Sequence, residues 1–308
     1  MELITDLKNL KLSSKSVVAI GVFDGVHKAH RLIITSAIRL ARQRKTKALV
    51  LTFWPHPQGQ ASLISLAHRL RLIEELKADI CVVIRFNRRF AGMSAEDFVK
   101  NILVKRLNAG VVFIGENFRF ARNAEGDVRL LQKLSRLYGF VVRPFKVFKT
   151  GRAVISSTLI RRLITSGKLK AAQRILMRPV SVLGTVIKGA SLGAKLGFPT
   201  ANIDPHHEVL PAAGIYAVRV VVDKHNYAGV CYIGRRPTFF RNKQSIEAHV
   251  FNFKKNIYGQ DLEIQFLRKI RGEKKFAHPQ ALIKQIKKDI IKVKAFLSLH
   301  GHIPLGKR

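Results

Sequence analysis

Two different hydrophobic patterns divide this sequence near residue 180. Before that point, short apolar runs alternate with amphipathic stretches. Such alternation of strand and helix favours a parallel sheet with helices on its faces. After that point, short β-rich runs follow one another with Gly, Pro and Asn between them. That pattern favours an antiparallel barrel or sandwich, so the sequence predicts two domains of different class.

Periodicity places the individual elements. A basic helical stretch, residues 158–177, ends the first part, and the domain boundary is predicted between Met177 and Ser181. The predicted domains are therefore residues 1–178 and 179–308. The predicted strands are residues 17–20, 48–53, 80–86, 111–114, 140–147, 180–187, 215–222, 227–234, 246–253 and 262–270. The other predicted helices are residues 31–44, 67–77, 95–108 (with Ser94 as N-cap), 130–138 and 279–297.

Composition limits the classes of protein that this chain can belong to. Hydrophobic residues make up 47%, which is typical of a folded chain. No apolar run has the length of a membrane span, and the N-terminus lacks the unbroken apolar core of a signal peptide. The 2 cysteines do not indicate a disulfide framework or a metal cluster. We therefore expect a cytoplasmic protein without a membrane partner.

The net charge is unusual. The chain has 56 Lys and Arg but 19 Asp and Glu, which gives +37. Such a charge favours polyanionic partners, including small anionic substrates. However, the basic residues are spread along the whole chain, as they also are on a solvated surface. We expect nonspecific polyanion binding but no specific nucleic acid, because the aromatic platforms and zinc fingers of common RNA and DNA binders are missing.

The segment GVFDGVHKAH, residues 21–30, lies where a predicted strand gives way to a helix. His27 and His30 face the same way in a first helical turn, where unpaired N–H groups also point outward. Gly21 and Gly25 allow the backbone to approach a ligand. These features indicate a phosphate site. The pair could equally be ordinary polar residues at a junction, and a zinc site is disfavoured because no third ligand is nearby.

Two further segments have hydroxyl groups beside helices or glycines. In ISSTLIR, Ser156, Ser157 and Thr158 precede Arg161, so they could cap a helix or bind phosphate together with the arginine. In GASLGAKLGFPTAN, residues 189–202, glycines recur before a hydroxyl and an amide. These could form a plain turn or a loop around phosphate, with oxygen ligands of the kind that Mg²⁺ accepts.

The motifs of the first half resemble those of the adenylyltransferase module of bacterial bifunctional riboflavin kinase/FAD synthetases, a Rossmann-like module of the HxGH nucleotidyltransferase superfamily. LTFWPHP, FAGMSAEDFV and IGENFRFA match further segments in order. The resemblance implies transfer of AMP from ATP to FMN, which gives FAD and pyrophosphate. It assigns His27 and His30 to catalysis, by stabilising the ATP phosphates, and His56 and Asn117 to the flavin or nucleotide. The phosphate clamp it assigns to Ser156, Ser157, Thr158 and Arg161, and further ATP contacts to Gly21, Phe23 and Asp24.

Three positions depart from that family's pattern. Ala29 stands where HxGH has glycine, and Asn117 and Ala121 stand where the later motif commonly has Asp and Gly. A β-carbon at residue 29 could crowd the nucleotide, and a positive φ there would strain alanine. A riboflavin kinase with a weak or inactive adenylyltransferase module is therefore the alternative function. A charge-driven nucleic-acid-binding protein is the third.

The string GFPTAN resembles the signature of riboflavin kinases, and LPAAGIYAV, YIGRRPTF, IEAHVFNF, IYGQ and RGEKKF follow in the family's order. The resemblance implies a small antiparallel barrel with a C-terminal helix that phosphorylates riboflavin to FMN with Mg–ATP. It implies Glu247 as the catalytic base, with His249 in support. Arg271 and Glu273 are assigned to the flavin, Thr200 and Asn202 to Mg²⁺, and ATP to Gly193, Lys195, Gly197, Pro199, Thr200 and Asn202. The sequence leaves the oligomeric state open.

Overall fold

A computed structural model describes residues 1–8, 10–57, 59, 62–151, 153–189, 193, 196–206, 208–235 and 244–299. The chain forms two compact units. The first contains Met1–Ser62 and Leu66–Ser157, and the second contains Leu63–Ser65 and the described residues from Thr158 onward. The units divide after Ser157. The domain boundary predicted between Met177 and Ser181 stays a prediction.

The first unit is built on a six-stranded parallel sheet with the order β1-β4-β3-β2-β5-β6. Its strands are β1 (Glu2–Ile4), β2 (Ser16–Ile20), β3 (Lys47–Trp54), β4 (Ile80–Arg85), β5 (Ala109–Gly115) and β6 (Val141–Phe145). The helices are α1 (Lys28–Gln43), α2 (Leu66–Glu75), α3 (Arg88–Ala91), α4 (Ala95–Asp97) with a π-helical continuation (Phe98–Val104), and α5 (Val128–Tyr138). A 3₁₀ turn (Arg122–Ala124) and a hairpin of β7 (Lys149–Thr150) and β8 (Ala153–Val154) complete the unit.

Burial explains why these segments fold as they do. Every residue of β2 is buried, as expected for a central strand of a parallel sheet that is covered on both faces. On α1, Ile33, Ile34, Ala37 and Ala41 recur at helical spacing and are buried. The predicted N-cap is confirmed, since Ser94 Oγ accepts the N–H of Asp97 at 3.1 Å.

The strand order creates a crevice in the middle of the sheet. The chain leaves β2 toward β3 and β4 on one side, whereas β5 and β6 lie on the other. Such a reversal is a topological switch point, where ligands bind beyond the carboxyl ends of the strands. The crevice therefore lies between the ends of β2 and β5.

The second unit is a closed antiparallel barrel with the order β10-β13-β12-β11-β14-β9. Val293 and Leu297 of the terminal helix pack on Ala217, Ala228 and Phe251 of the barrel. The strands are β9 (Val180–Ile187), β10 (Ala201–Asp204), β11 (Gly214–Val222), β12 (His225–Arg235), β13 (Gln244–Val250) and β14 (Asp261–Arg271). The helices are α6 (Ser157–Thr165), α7 (Leu169–Leu176) and α8 (Pro279–Leu299).

The predicted fold class, a parallel α/β sheet followed by an antiparallel barrel with a C-terminal helix, is confirmed. Several details differ from the sequence prediction, and they include the short elements α3, β7 and β8, which were not predicted. The basic stretch forms two helices rather than one, because Gly167 at φ +74° interrupts it. The helix predicted for residues 95–108 is largely π-helical. β1 and β10, which were not predicted, are strands of three and four residues.

Candidate active sites

The turn between β2 and α1 has a backbone that is held by packing. Phe23, Gly25 and Val26 have φ of 51°, 78° and 40°. Such angles strain residues other than glycine, so they persist where the surroundings fix them. Phe23 and Val26 are 1% and 0% exposed, which supplies that constraint. A β-carbon on Gly21 would lie 2.9 Å from the ring of Phe23, so this position needs glycine.

His27 and His30 form a stacked pair at the start of α1. Their ring centroids are 3.5 Å apart with an angle of 21° between the planes. Burial lowers the pKa of His27 from 6.5 to about 4. Burial, followed by the charges of His27 and Arg69, lowers the pKa of His30 well below its ordinary value. Both rings are therefore neutral near pH 7, and Nδ1 of His30 is buried without a hydrogen-bond partner among the described residues.

A cavity of about 430 Å³ opens at the switch point. It is bounded by the end of β2, the start of α1 and the segment after β5. The motifs GVFDGVHKAH and ISSTLIR meet at this cavity. The predicted site residues that line it are Gly21, Phe23, His27, His30, Ser156 and Ser157. Neutral imidazoles, hydroxyl groups and the N-terminus of α1 can together bind the oxygens of a phosphate chain.

A second cavity of about 560 Å³ shares Asn117 and Phe118 with the first. His56 lies in its wall, together with Val22. Its remaining lining includes Arg119 and Asn123 but is rich in aromatic rings, namely Phe53, Phe86, Phe90, Phe98 and Phe120. Aromatic faces and edges favour a flat apolar ligand. The two cavities can therefore hold a nucleotide and a flat aromatic ligand on either side of one shared wall.

Other predicted residues of this site have different settings. Asp24 is 2% exposed, and its Oδ1 lies 3.8 Å from Nη2 of Arg69, so its side chain belongs to the interior. Its carbonyl oxygen accepts the Ser157 hydroxyl at 3.2 Å. Thr158 and Arg161 follow on α6.

The three departures from the family pattern differ in their backbone. Ala29 lies in the first turn of α1 and lines the first cavity, so the strain expected from a positive φ does not arise there. Ala121, in contrast, has φ 67° and ψ −176°, a region that essentially only glycine adopts. Asn117 stands in the wall common to both cavities.

In the barrel, the register of three strands brings predicted residues together. Glu247 on β13 is paired with Asn202 on β10 and with Tyr232 on β12. Directly paired residues of neighbouring strands face the same side, so these three side chains share one face. The Tyr232 hydroxyl donates to Glu273 at 2.7 Å, which adds a second carboxylate to the group.

The glycines before GFPTAN pack closely on the predicted oxygen ligands. A β-carbon on Gly189 would lie 2.1 Å from the amide of Asn202, and one on Gly193 would lie 2.8 Å from Oγ1 of Thr200. Glycine is therefore required for the loop to lie against these groups. Gly197 has φ +85°, which also favours glycine. Lys195 lies outside the described residues.

A cavity of about 270 Å³ adjoins this loop and is lined by Pro199 and Thr200, but not by Asn202 or Glu247. The carbonyl of Pro199 accepts a hydrogen bond from Nδ1 of His249 at 2.8 Å, so His249 supports the loop. Among the described residues, no group of three or more His, Cys, Asp or Glu could hold a metal ion. A hydroxyl and an amide are hard oxygen donors, however, and they fit Mg²⁺ when nucleotide phosphates supply further ligands.

Arg271, predicted to lie near the flavin, is bound to α8. Its Nε and Nη2 lie 2.9 and 2.8 Å from Oδ2 of Asp289, which is 2% exposed. This pair holds the end of β14 against the terminal helix. Its Nη1 donates to the carbonyl of Gly272 at 2.9 Å.

Family models match both halves of the chain. The model for FAD synthetase matches residues 10–159, and the model for riboflavin kinase matches residues 176–297. A bifunctional riboflavin kinase/FMN adenylyltransferase of Escherichia coli K12 is 35% identical over 97% of this chain and 99% of its own length. This chain belongs to that family.

Further members of the bifunctional riboflavin kinase/FMN adenylyltransferase family also match the chain over most of its length. That of Buchnera aphidicola from Schizaphis graminum is 35% identical over 97% of this chain, and that of Bacillus subtilis is 32% identical over 90%. The crystal structure of a macrolide-efflux protein from Streptococcus pneumoniae matches with a TM-score of 0.81 and 27% identity, over 95% of this chain and 98% of that one. In the part of this chain that the structure describes, no helix is long and apolar enough to span a membrane.

Sequence reasoning missed several residues of the first unit. The aromatic residues that line the second cavity come from separate elements, so no local sequence pattern predicts that they lie together. Arg69 is completely buried beneath the β2–α1 turn. One signal could have found it: it lies three and four residues before the buried Leu72 and Ile73, on the apolar face of α2.

Proposed function

We propose that this enzyme uses ATP at two sites, first to phosphorylate riboflavin and then to adenylylate FMN. The observation that carries the proposal is the presence of two separate sites in one chain: paired cavities at the switch point of the sheet, and a glycine loop on Thr200 and Asn202 of the barrel. The match of both family models and of full-length bifunctional relatives supports both activities over the kinase-only and nucleic-acid-binding alternatives.

In adenylyl transfer, we place ATP in the first cavity and the flavin of FMN in the aromatic second cavity. The FMN phosphate attacks the α-phosphorus, the bond to pyrophosphate breaks, and negative charge grows on the leaving group. His27 and His30 lie where they can donate to phosphate oxygens, with Ser156, Ser157, Thr158 and Arg161 completing the phosphate clamp. Asn117 and His56 orient the ligands at the shared wall and in the flavin cavity. Gly21 and Phe23 shape the nucleotide side, and Asp24 acts through the turn.

In the kinase reaction, Glu247 accepts the proton of the ribityl 5′-hydroxyl as that oxygen attacks the γ-phosphorus and ADP leaves. Thr200 and Asn202 hold Mg–ATP, and Mg²⁺ when bound neutralises phosphate charge. The loop with Gly193, Lys195, Gly197 and Pro199 covers the phosphates. Glu273, held by Tyr232, and Arg271, held by Asp289, border the flavin.

The remaining assignments complete the proposal. Residues 1–178 carry adenylyl transfer and residues 179–308 carry the kinase. The partners are ATP, riboflavin and FMN, with nonspecific polyanion binding through the +37 charge. We place the enzyme in the cytoplasm, and the unpaired state of Cys81 and Cys231 is compatible with a reducing compartment.

Chromatographic separation of flavins after incubation with Mg–ATP tests both reactions. Riboflavin should yield FMN and then FAD, and supplied FMN should yield FAD. Glu247→Ala should reduce FMN formation about 100-fold or more while FAD formation from supplied FMN continues. FMN without FAD from the unmodified protein would support the kinase-only alternative. Equal loss of both steps in Glu247→Ala would contradict separate sites, and no product at all would contradict the proposed function.

A further inference from the structure

Arg69 is a charged residue that ligand binding does not explain. It lies on α2 with 0% exposure. Its Nη1 donates to the carbonyl oxygens of Val22 and Phe53 at 2.8 and 3.1 Å, and lies 3.4 Å from Oγ1 of Thr52. That hydroxyl in turn donates to the Val22 carbonyl at 2.8 Å. The guanidinium therefore joins α2 to the ends of two neighbouring strands.

The groups that Arg69 holds lie in the wall of the second cavity and in the turn whose other residues line the first. Val22 and Phe53 line the aromatic cavity. Asp24, whose carboxylate lies 3.8 Å from Nη2, belongs to the turn whose neighbours Phe23 and His27 line the nucleotide cavity. A single guanidinium thus ties a wall of one cavity to the turn that carries the histidines of the other.

This arrangement is not an economical way to stabilise a core. Burial lowers the pKa of Arg69, and Asp24 opposes this only in part. Nε and Nη2 have no hydrogen-bond partner among the described residues. A buried charge of this kind is often no more stable than an apolar side chain of similar volume. Its retention therefore points to a requirement other than stability.

We propose that Arg69 is a positioning residue for adenylyl transfer, which fixes the β2–α1 turn relative to the end of β3 and thereby sets the distance between the two reacting phosphates. The proposal rests on the adenylyltransferase function proposed above. Arg69 touches neither ligand in this arrangement. It acts through Val22, Phe53 and Asp24, so its effect belongs to the reaction step rather than to substrate affinity, because small misplacements of reacting groups slow a reaction strongly.

Arg69 also acts on the histidines by its charge. His30 is subject to burial, to His27 and to the positive charge of Arg69, and each of these lowers its pKa. A variant without the charge should therefore take up a proton at His30 at higher pH than the unmodified enzyme. A residue that served only to fill space would leave this pH dependence unchanged.

The test compares Arg69→Gln, Arg69→Lys and the control Arg71→Gln in the full chain. Arg71 lies on the same helix, but its side chain is 38% exposed and pairs with Glu75 at 3.9 Å. The measurements are kcat and KM for FAD formation from FMN over a range of pH. Far-UV circular dichroism and the melting temperature of the same samples report whether the first unit is folded, and riboflavin kinase activity reports whether the barrel is intact.

For Arg69→Gln we expect kcat to fall about 100-fold, with KM for ATP and FMN within about threefold and kinase activity unchanged. The acid limb of its pH profile should move to higher pH. Arg69→Lys keeps the charge but not the fork of donors, so it should keep the pH profile while kcat falls about tenfold. Arg71→Gln should match the unmodified enzyme.

Several results would overturn the proposal. These are an unchanged kcat in Arg69→Gln, or a rise in KM that accounts for the whole loss of kcat/KM. If Arg69→Gln loses kinase activity as well, the test rests on Arg69→Lys. A kcat for FAD formation in Arg69→Lys equal to that of the unmodified enzyme then refutes the positioning role. Absence of FAD formation in the unmodified enzyme would instead contradict the proposed function itself, so the two failures are distinguishable.

Discussion

Ala121 shows how one residue can carry backbone strain in the wall of a cavity. Its φ of 67° and ψ of −176° cost of order 1–3 kcal/mol for a residue with a β-carbon. Glycine removes that strain but loses more chain entropy on folding. We therefore expect Ala121→Gly to raise the free energy of unfolding by about 1 kcal/mol, as measured by urea denaturation of the full chain.

Ala29→Gly provides the matched control. Residue 29 lies in the first turn of α1, where alanine is unstrained and favours the helix more than glycine does. It should lower the free energy of unfolding by a few tenths to about 1 kcal/mol. If both variants change stability in the same direction, strain at residue 121 is not the cause.

The buried His27 makes stability depend on pH. Its pKa in the folded protein is about 4, below the ordinary 6.5, so between these values the unfolded chain binds more protons than the folded one. Unfolding free energy must then rise with pH through this window and level off above about 6.5. The full difference corresponds to about 3 kcal/mol for this residue.

His27→Asn should remove the part of this slope that His27 contributes, because asparagine caps a helix but does not titrate. The part contributed by His30, whose pKa is also lowered, should remain. Urea denaturation at pH 4.5, 5.5, 6.5 and 7.5 measures the effect. The curves of unfolding free energy against pH for the variant and the unmodified protein should differ most in slope below pH 6.5 and should run parallel above it. Parallel curves throughout would show that His27 is not the titrating group.

At the scale of elements, periodicity was sufficient for most of the fold and for the position of the first motif. Residues 21–30 follow a fully buried strand, so their place at a sheet edge could be deduced. β10 could not, because its four residues follow a proline and glycine segment that is typical of loops. Arg69 was missed for a different reason: charge on a helix normally indicates solvent, and only tertiary contacts reveal its burial.

At the scale of elements, a further prediction concerns the position of the glycine loop in the barrel. A β-carbon at Gly193 would approach the carbonyl oxygen of Phe198 to 2.5 Å, a backbone atom that cannot move alone. Gly193→Ala should therefore displace the loop from Thr200 and raise KM for ATP in the kinase reaction about tenfold or more, as measured by FMN formation. FAD formation from supplied FMN should not change.

A glycine with ordinary surroundings serves as the control for that substitution. At Gly92 the nearest atom to an added β-carbon is 3.5 Å away, which is normal contact. Gly92→Ala should leave the KM for ATP of the kinase reaction unchanged. An unchanged KM in Gly193→Ala would show that the loop tolerates displacement and that its glycines are not needed for phosphate binding.

At the scale of the whole molecule, both proposed reactions require a fold that binds and stabilises the negative charge of phosphate groups. The chain does this with two different folds. The parallel sheet supplies a switch point with neutral histidines and a helix N-terminus. The barrel supplies a close glycine loop, the proposed oxygen ligands Thr200 and Asn202, and Glu247 as the proposed base. The product of the barrel reaction is the substrate of the sheet reaction, so the two sites in one chain perform consecutive steps.

The +37 charge leads to the last prediction. Because the basic residues are dispersed, binding to a polyanion should depend on counterion release and not on sequence. Fluorescence anisotropy with two labelled RNAs of equal length and different sequence should give equal affinities at 50 mM salt. Both affinities should fall about 100-fold or more by 200 mM, as expected for contacts with several phosphates. A strong preference for one RNA that survives at 200 mM would show a built nucleic-acid site, because dispersed charge alone cannot distinguish base sequences.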